Sequence, residues 1–177
     1  MQALKARHTS REFAPRPIPV EVLSNLLWAA DGVNRPDGRR TAPSARNWQE
    51  VDIYVCLSQG TYVFDAKAGA LSLVTAEDLR SLTGTQSFVK DAPVSLVYVS
   101  DYAKTMGGRA FFLSNEDRAA WTSCDVGFIA QNVYLFCDSE GLNTGVRVGI
   151  NRESLGNALK LRREQHIILA QSIGFPK

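Results

Sequence analysis

The stretch that most constrains this chain is "APVSLVYVS", residues 92–100. Val94, Leu96, Val97, Tyr98 and Val99 leave it without a polar face, so it reads as a strand buried on both sides. Such a strand needs an apolar layer above and another below. The neighbouring segments supply candidates for both. "EVDIYVCL" (50–57) reads as a second buried strand, and "TYVFDAKAGALSLV" as a hairpin with strands 61–64 and 71–74 around an Asp/Gly-bearing turn. "HIILAQSIGF" closes the chain as a further strand.

Helices are predicted between these. Residues 2–10 form a short one, before "RPIP" (16–19) forces an extended turn. "IPVEVLSNLLWAADG" sets Val20, Leu23, Leu27 and Ala30 at helical spacing, with Pro19 in the first turn and Asp31-Gly32 at the end. "TAEDLRSLTG" predicts a short helix with Thr75 as N-cap and Gly84 as its stop. Residues 116–140 carry the longest helical pattern, ended by Gly141. Trp121, Cys124, Phe128, Val133, Leu135 and Phe136 wrap much of that cylinder in apolar contacts, which places it centrally or at a subunit interface. "NRESLGNALKL" (151–161) is a helix capped by Asn151. Strands and helices mix without a regular βαβ alternation, which predicts an α+β layered sandwich. At 177 residues the expectation is a single domain over 1–177.

From Val33 to Gln49, "VNRPDGRRTAPSARNWQ", periodicity vanishes. A loop this long between a clear helix and a clear strand points to function. Arg35, Arg39, Arg40 and Arg46 fall near it, either as a site for a small anionic ligand or as solvated loop charge.

Composition removes several classes. Twenty basic against eighteen acidic residues, net +2, is too balanced for a nucleic-acid partner. No apolar run approaches the ~20 residues of a membrane span. Three cysteines without ligand spacing and two histidines argue against a metal site. No leader is visible, so the expected location is cytoplasmic, with an exported mature form lacking its signal peptide as the alternative. Neither a Gly-rich dinucleotide fingerprint, a P-loop nor a G-x-S-x-G elbow occurs. A chain with several anion-binding groups and no evident nucleophile draws its reactivity from a bound cofactor.

"RHTSREF" (7–13) is the densest such group. At a helix end, Arg7 and Arg11 would share one face at i, i+4, beside the hydroxyls of Thr9 and Ser10. That set either grips a phosphate or polar heterocycle through charge-assisted bonds, or is a solvated polar helix.

Four segments, in order and across nearly the whole chain, resemble the FMN-dependent nitroreductase superfamily. "RHTSREF" is similar to its R-x-S/T-x-R/K-x-F opening, through Arg7, Thr9, Arg11 and Phe13. "APSARNWQEVDIYV" resembles its A-P-S-S-x-N-x-Q-P-W-x-F segment, through Pro43, Ser44, Ala45, Asn47 and Gln49. "DVGFIAQNVYLFCDSEGLNT" resembles its central dimer helix and "ILAQSIGFP" its closing strand. The resemblance implies a central mixed or antiparallel sheet flanked by helices, in a homodimer with FMN at the subunit interface. It implies that Arg7, His8, Thr9 and Arg11 face the ribityl phosphate and the pyrimidine edge, with Arg11 the first candidate for stabilising charge on that edge. Pro43, Ser44, Ala45 and Asn47 would line the isoalloxazine from the other subunit. Val148-Gly149, in "VRVGI", match the segment whose N–H, at Gly149, reaches flavin N5. Arg147 and Arg46 would contact either phosphate or solvent.

The implied activity is transfer of a hydride from NAD(P)H to the flavin and of two electrons onward to a small acceptor such as a nitroaromatic or quinone. No catalytic acid or base and no metal are expected. Trp48-Gln49-Glu50 replaces the usual Gln-Pro-Trp, which alters the pocket rim. The sequence stops at Lys177, so an exchanged C-terminal arm is expected to be absent and helix 116–140 to carry more of the dimer. The loop and hairpin together are most similar to a branch related to SagB-type azoline dehydrogenases. That leaves two alternatives: a substrate dehydrogenase reoxidised by oxygen, and a flavin-binding module without turnover.

Overall fold

Strand β4 (Val94–Asp101) is buried at all eight positions and lies inside a six-stranded sheet. The computed structural model describes residues 1–105 and 113–177. In chain order the other strands are β1 (Val51–Leu57), β2 (Gly60–Asp65), β3 (Ala70–Thr75), β5 (Asn143–Arg147) and β6 (Gln165–Gly174), and the spatial order is β3-β2-β1-β4-β6-β5. Every pairing is antiparallel, so of the two expected sheet types the antiparallel one holds.

The two-sided burial expected of β4 follows from its pleat. Leu96 and Tyr98 join Ile53 and Val55 of β1 on one face, where helix α2 (Val20–Asp31) contributes Leu23, Leu26, Leu27 and Ala30. Val126, Ile129, Ala130 and Val133 of helix α3 (Asn115–Ser139) complete that layer. Val97 and Val99 point the other way, with Tyr54 and Cys56, onto Leu155 of helix α4 (Arg152–Ala158) and onto Leu159, Ile167 and Leu79. Val55, Leu96, Val97 and Val99 are wholly buried, and removing each from water stabilises the fold by ~1.5–3 kcal/mol.

Helix ends follow local chemistry. Ser114 caps α3 by accepting the Asp117 N–H at 3.0 Å. At the other end Gly141 takes φ +66°, and the Leu142 N–H returns to the Cys137 carbonyl at 2.7 Å, a Schellman closure. Gly32 ends α2 for a different reason. Its φ is −75°, and a Cβ there would lie 2.5 Å from Trp28 Cδ1, so glycine supplies room and not a left-handed turn.

Several expectations are corrected. The first helix, α1, covers only Gln2–Ala6, because the edge of the sheet binds the Ser10 backbone and draws residues 7–10 into extended form. Thr75 belongs to β3, opposite Thr61, and the helix expected after it is only a 3-10 turn at Arg80–Thr83. There Asp78 accepts the Arg80 N–H and grips its guanidinium, a local alternative to helix. Strand β5 is an addition to the elements expected from sequence. "NTGVR" has no alternation and draws its order from pairing with β6, Asn143 against Gly174 through Arg147 against Ala170. No helix among the described residues is long and apolar enough to cross a membrane.

Candidate active site

Residues 7–11 are extended, so Arg7 and Arg11 do not share a helical face. The segment instead crosses the free edge of β5. Ser10 donates its N–H to the Thr144 carbonyl at 3.0 Å, and Asn143 Nδ2 donates to the Glu12 carbonyl at 2.8 Å. Gly145 permits this crossing, since a Cβ there would stand 3.0 Å from Ser10 O. Tyr134 of α3 is the post against which the crossing rests. Its hydroxyl accepts the Val146 N–H at 3.0 Å, shares a 3.0 Å hydrogen bond with Thr9 Oγ1, and its ring lies 5.3 Å from the Arg7 guanidinium carbon.

The remaining donors stay available. Arg11 is exposed and forms no hydrogen bond or ion pair with the described residues, and Arg7 has only its ring contact. His8 donates through Nδ1 to the Ala6 carbonyl at 3.0 Å, which leaves Nε2 facing outward. Two guanidiniums on one pinned, extended segment make a donor set suited to a phosphate or a polar ring edge, and the neutral His8 ring adds an outward acceptor at Nε2.

Val148 and Gly149 follow β5 directly. The Gly149 carbonyl accepts from Thr85 N at 3.0 Å, and its N–H meets no acceptor among the described residues. A Cβ at Gly149 would be 3.1 Å from Thr85 Oγ1, so a side chain would crowd the position where that N–H is presented.

The loop carrying Pro43, Ser44, Ala45 and Asn47 is built quite differently. Arg46, Asn47 and Gln49 all have left-handed φ values, 52°, 57° and 51°. Three non-glycine residues in this region within four positions hold only if their surroundings over-determine them. Ser44 Oγ accepts the Gln49 N–H at 3.0 Å, and Gln49 Nε2 donates to Gly38 O at 3.0 Å and Asn47 Oδ1 at 3.1 Å. Asp125 Oδ2 of α3 accepts the Ala45 N–H at 2.8 Å, and Trp48 stacks on Trp121 with centroids 5.6 Å apart. The result is a fixed backbone carrying small side chains at 44 and 45.

Beneath this loop lies a feature that sequence reasoning missed. Glu50 is completely buried, and neither carboxylate oxygen meets a donor among the described residues. Burial, then the neighbouring Asp125 carboxylate, push its pKa up to about 7. A proton held on Glu50 can be donated to Asp125, which accounts for two buried carboxylates side by side. Its only sequence signal was Glu50 standing where Gln-Pro-Trp was expected. Asp31 pairs with Arg40, yet burial still raises its pKa to about 6.

The basic loop cluster has a plainer use than ligand binding. Arg40 pairs with Asp31, Arg39 with Asp37, and Arg35 donates to Asn34 Oδ1 and to Arg40 O. Arg46 lies over Trp48 and Trp121. Arg147 reaches neither solvent nor an outward face: it is buried and donates to Thr83, Ser95 and Ser172.

The candidate residues therefore form two groups within one chain. Arg7, Thr9 and Gly149 gather around β5 and Tyr134, whereas Ser44 and Ala45 rest on Asp125. Nine residues of α3 separate the two posts, about 14 Å along the axis and about half a turn around it. A flavin fits the first group by donor chemistry and the second by its flat, small-residue backbone.

Known proteins share this fold. The model of the Nitroreductase family matches residues 4–175. A candidate nitroreductase of Methanocaldococcus jannaschii is 31% identical over 156 residues, 81% of this chain and 74% of that protein. The crystal structure of a candidate nitroreductase from Ralstonia eutropha JMP134 superposes with a TM-score of 0.92 at 40% identity, over the whole of this chain and 82% of that one. The E. coli microcin synthetase McbBCD complex shares the fold alone, with TM-score 0.81 at 18% identity over the whole of this chain and 73% of that one. A match of this extent, on a site with this donor set, means that the chain belongs to the nitroreductase family of flavin-dependent oxidoreductases.

Proposed function

We propose that two copies of this chain bind FMN at their interface, take hydride from NAD(P)H and pass two electrons to a small acceptor such as a nitroaromatic or quinone. When bound, FMN supplies the hydride chemistry. Arg7, His8, Thr9 and Arg11 would hold the phosphate and pyrimidine edge, with charge-assisted bonds worth ~1.5–3 kcal/mol each. The Gly149 N–H would donate to flavin N5. Pro43, Ser44, Ala45 and Asn47 of the other copy would cover the ring and keep water from it. The observation that supports this reading is the placement of the two groups on opposite sides of α3, so that a ligand seated between two copies could take one group from each. The protein would act in the cytoplasm as one domain over residues 1–177.

The test is direct. Purified protein should be yellow and release FMN, identified by mass, and anaerobic NADH or NADPH should bleach it. Arg7→Ala and Arg11→Ala should each lower flavin occupancy at least tenfold at limiting FMN. Unchanged occupancy in both would displace the phosphate and pyrimidine from this segment. A flavin reduced by neither nicotinamide would favour a dehydrogenase that draws electrons from another substrate, and bound flavin without turnover a binding module.

A further inference from the structure

Arg147 is a buried cation that meets no carboxylate among the described residues. It is 5% exposed, and its partners are the Thr83 carbonyl at 3.0 Å, Thr83 Oγ1 at 2.5 Å, Ser172 Oγ at 2.7 Å and Ser95 Oγ at 3.3 Å. All four acceptors are neutral. Elsewhere the chain matches arginine with carboxylate, Arg40 with Asp31 and Arg162 with Asp101. Bridging three hydroxyls and a carbonyl does not require a charge, and burying one without a counter-ion is strongly unfavourable. Burial draws the Arg147 pKa down to about 10, which still leaves the group charged at neutral pH.

Its place in the fold ties that charge to the site. Arg147 ends β5, two residues before Gly149. Its side chain lies flat under the turn at 83–85, where a Cβ on Gly84 would stand 2.5 Å from Arg147 Nε. The same turn donates the Thr85 N–H to the Gly149 carbonyl. The guanidinium and the turn thus reach Gly149 from one side: Arg147 holds the turn, the turn holds the Gly149 carbonyl at 3.0 Å, and the Val148 carbonyl, which shares a peptide plane with the Gly149 N–H, accepts the Ile150 N–H at 2.9 Å.

We propose that Arg147 is a positioning residue whose uncompensated buried charge favours the reduced over the oxidised form of an FMN bound at Gly149. The inference rests on the FMN reading proposed for this chain. A hydride brings two electrons and one proton, so the bound flavin gains one negative charge unless a second proton follows. A fixed cation in a low-dielectric setting stabilises that charge with no reorganisation. The desolvation cost carried by the empty protein is offset when the anion forms.

The experiment compares FMN-loaded wild type with Arg147→Lys and Arg147→Gln, reading the flavin midpoint potential by equilibration with a reference dye and the dissociation constant of oxidised FMN. Arg147→Gln should weaken the reduced form relative to the oxidised at least tenfold, a fall of about 30 mV for a two-electron couple. Arg147→Lys keeps the charge but loses the fork, and should keep that ratio within threefold, about 14 mV. An unchanged potential in Arg147→Gln, or equal falls in both variants, overturns the proposal while leaving FMN binding intact. Wild type alone supplies a second measurement that no folding defect can obscure. Its potential should fall about 30 mV per pH unit between pH 6 and 8, one proton per two electrons. A slope twice as steep means a neutral reduced flavin and overturns the proposal. Wild type that takes up no FMN overturns the FMN reading, and this inference with it.

Discussion

Glu50 shows what one residue does to the site from below. A fully buried carboxyl held near pH 7 keeps in the folded chain a proton that an unfolded chain, with its ordinary value of 4.5, has already released. The folded state therefore binds the extra proton between those two values. The contribution of Glu50 to stability is greatest below about pH 4.5 and falls as pH rises toward 7. Asp31, raised to about 6, adds a slope of the same sign. Glu50→Gln removes the larger contribution while its amide can still donate to Asp125, which holds Ala45. Thermal melts of the wild type should drop from pH 5 to pH 7.5, and those of Glu50→Gln should drop less and end higher. Parallel curves would mean that Glu50 does not carry the proton.

At the scale of elements, Tyr134 joins α3 to β5 and to the opening segment through one hydroxyl. Tyr134→Phe leaves the partly buried Val146 N–H without its acceptor and frees Thr9, a loss of ~1–2 kcal/mol. Chemical denaturation should report that loss, and FMN affinity should fall with it, because Arg7 and Thr9 are no longer held. A stability loss with unaltered affinity would separate the post from the site. This junction also marks how far the site was legible in sequence. β4 was legible from its unbroken apolar run and the end of α3 from Gly141, whereas Arg7, Thr9 and Arg11 could be picked out as candidates by residue type alone, since the helical spacing that grouped them does not hold. Their setting was not legible. Residues 7–10 could form a helix, and become extended because β5 offers an open carbonyl at Thr144. β5 itself has no pattern of its own, since its order comes from β6, a strand that begins well after it in the chain. Long-range pairing of this kind leaves no periodic trace, and neither does a shared proton such as that of Glu50 and Asp125.

For the whole molecule, the decisive fact is how α3 divides its circumference. One face is spent on the core through Val126, Ile129, Ala130, Val133 and Cys137. The face away from it carries Phe128, 49% exposed, with exposed Cys124 and Gln131 and with Gly127, where a Cβ would meet nothing within 4 Å. A half-exposed phenylalanine beside a glycine on a 25-residue helix is a surface that a second helix can approach closely. The same helix holds the two halves of the candidate site on opposite sides, and pairing along it is the arrangement that the proposed FMN site between two copies requires. Phe128→Glu places a charge in that seam without touching the core. Light scattering should report a dimer for the wild type and a monomer for the variant, far-ultraviolet circular dichroism should be unchanged, and the variant should no longer retain FMN. A folded monomer that keeps its flavin would place the entire site within one chain. A variant that stays dimeric and yellow would move the interface to a different face of the molecule.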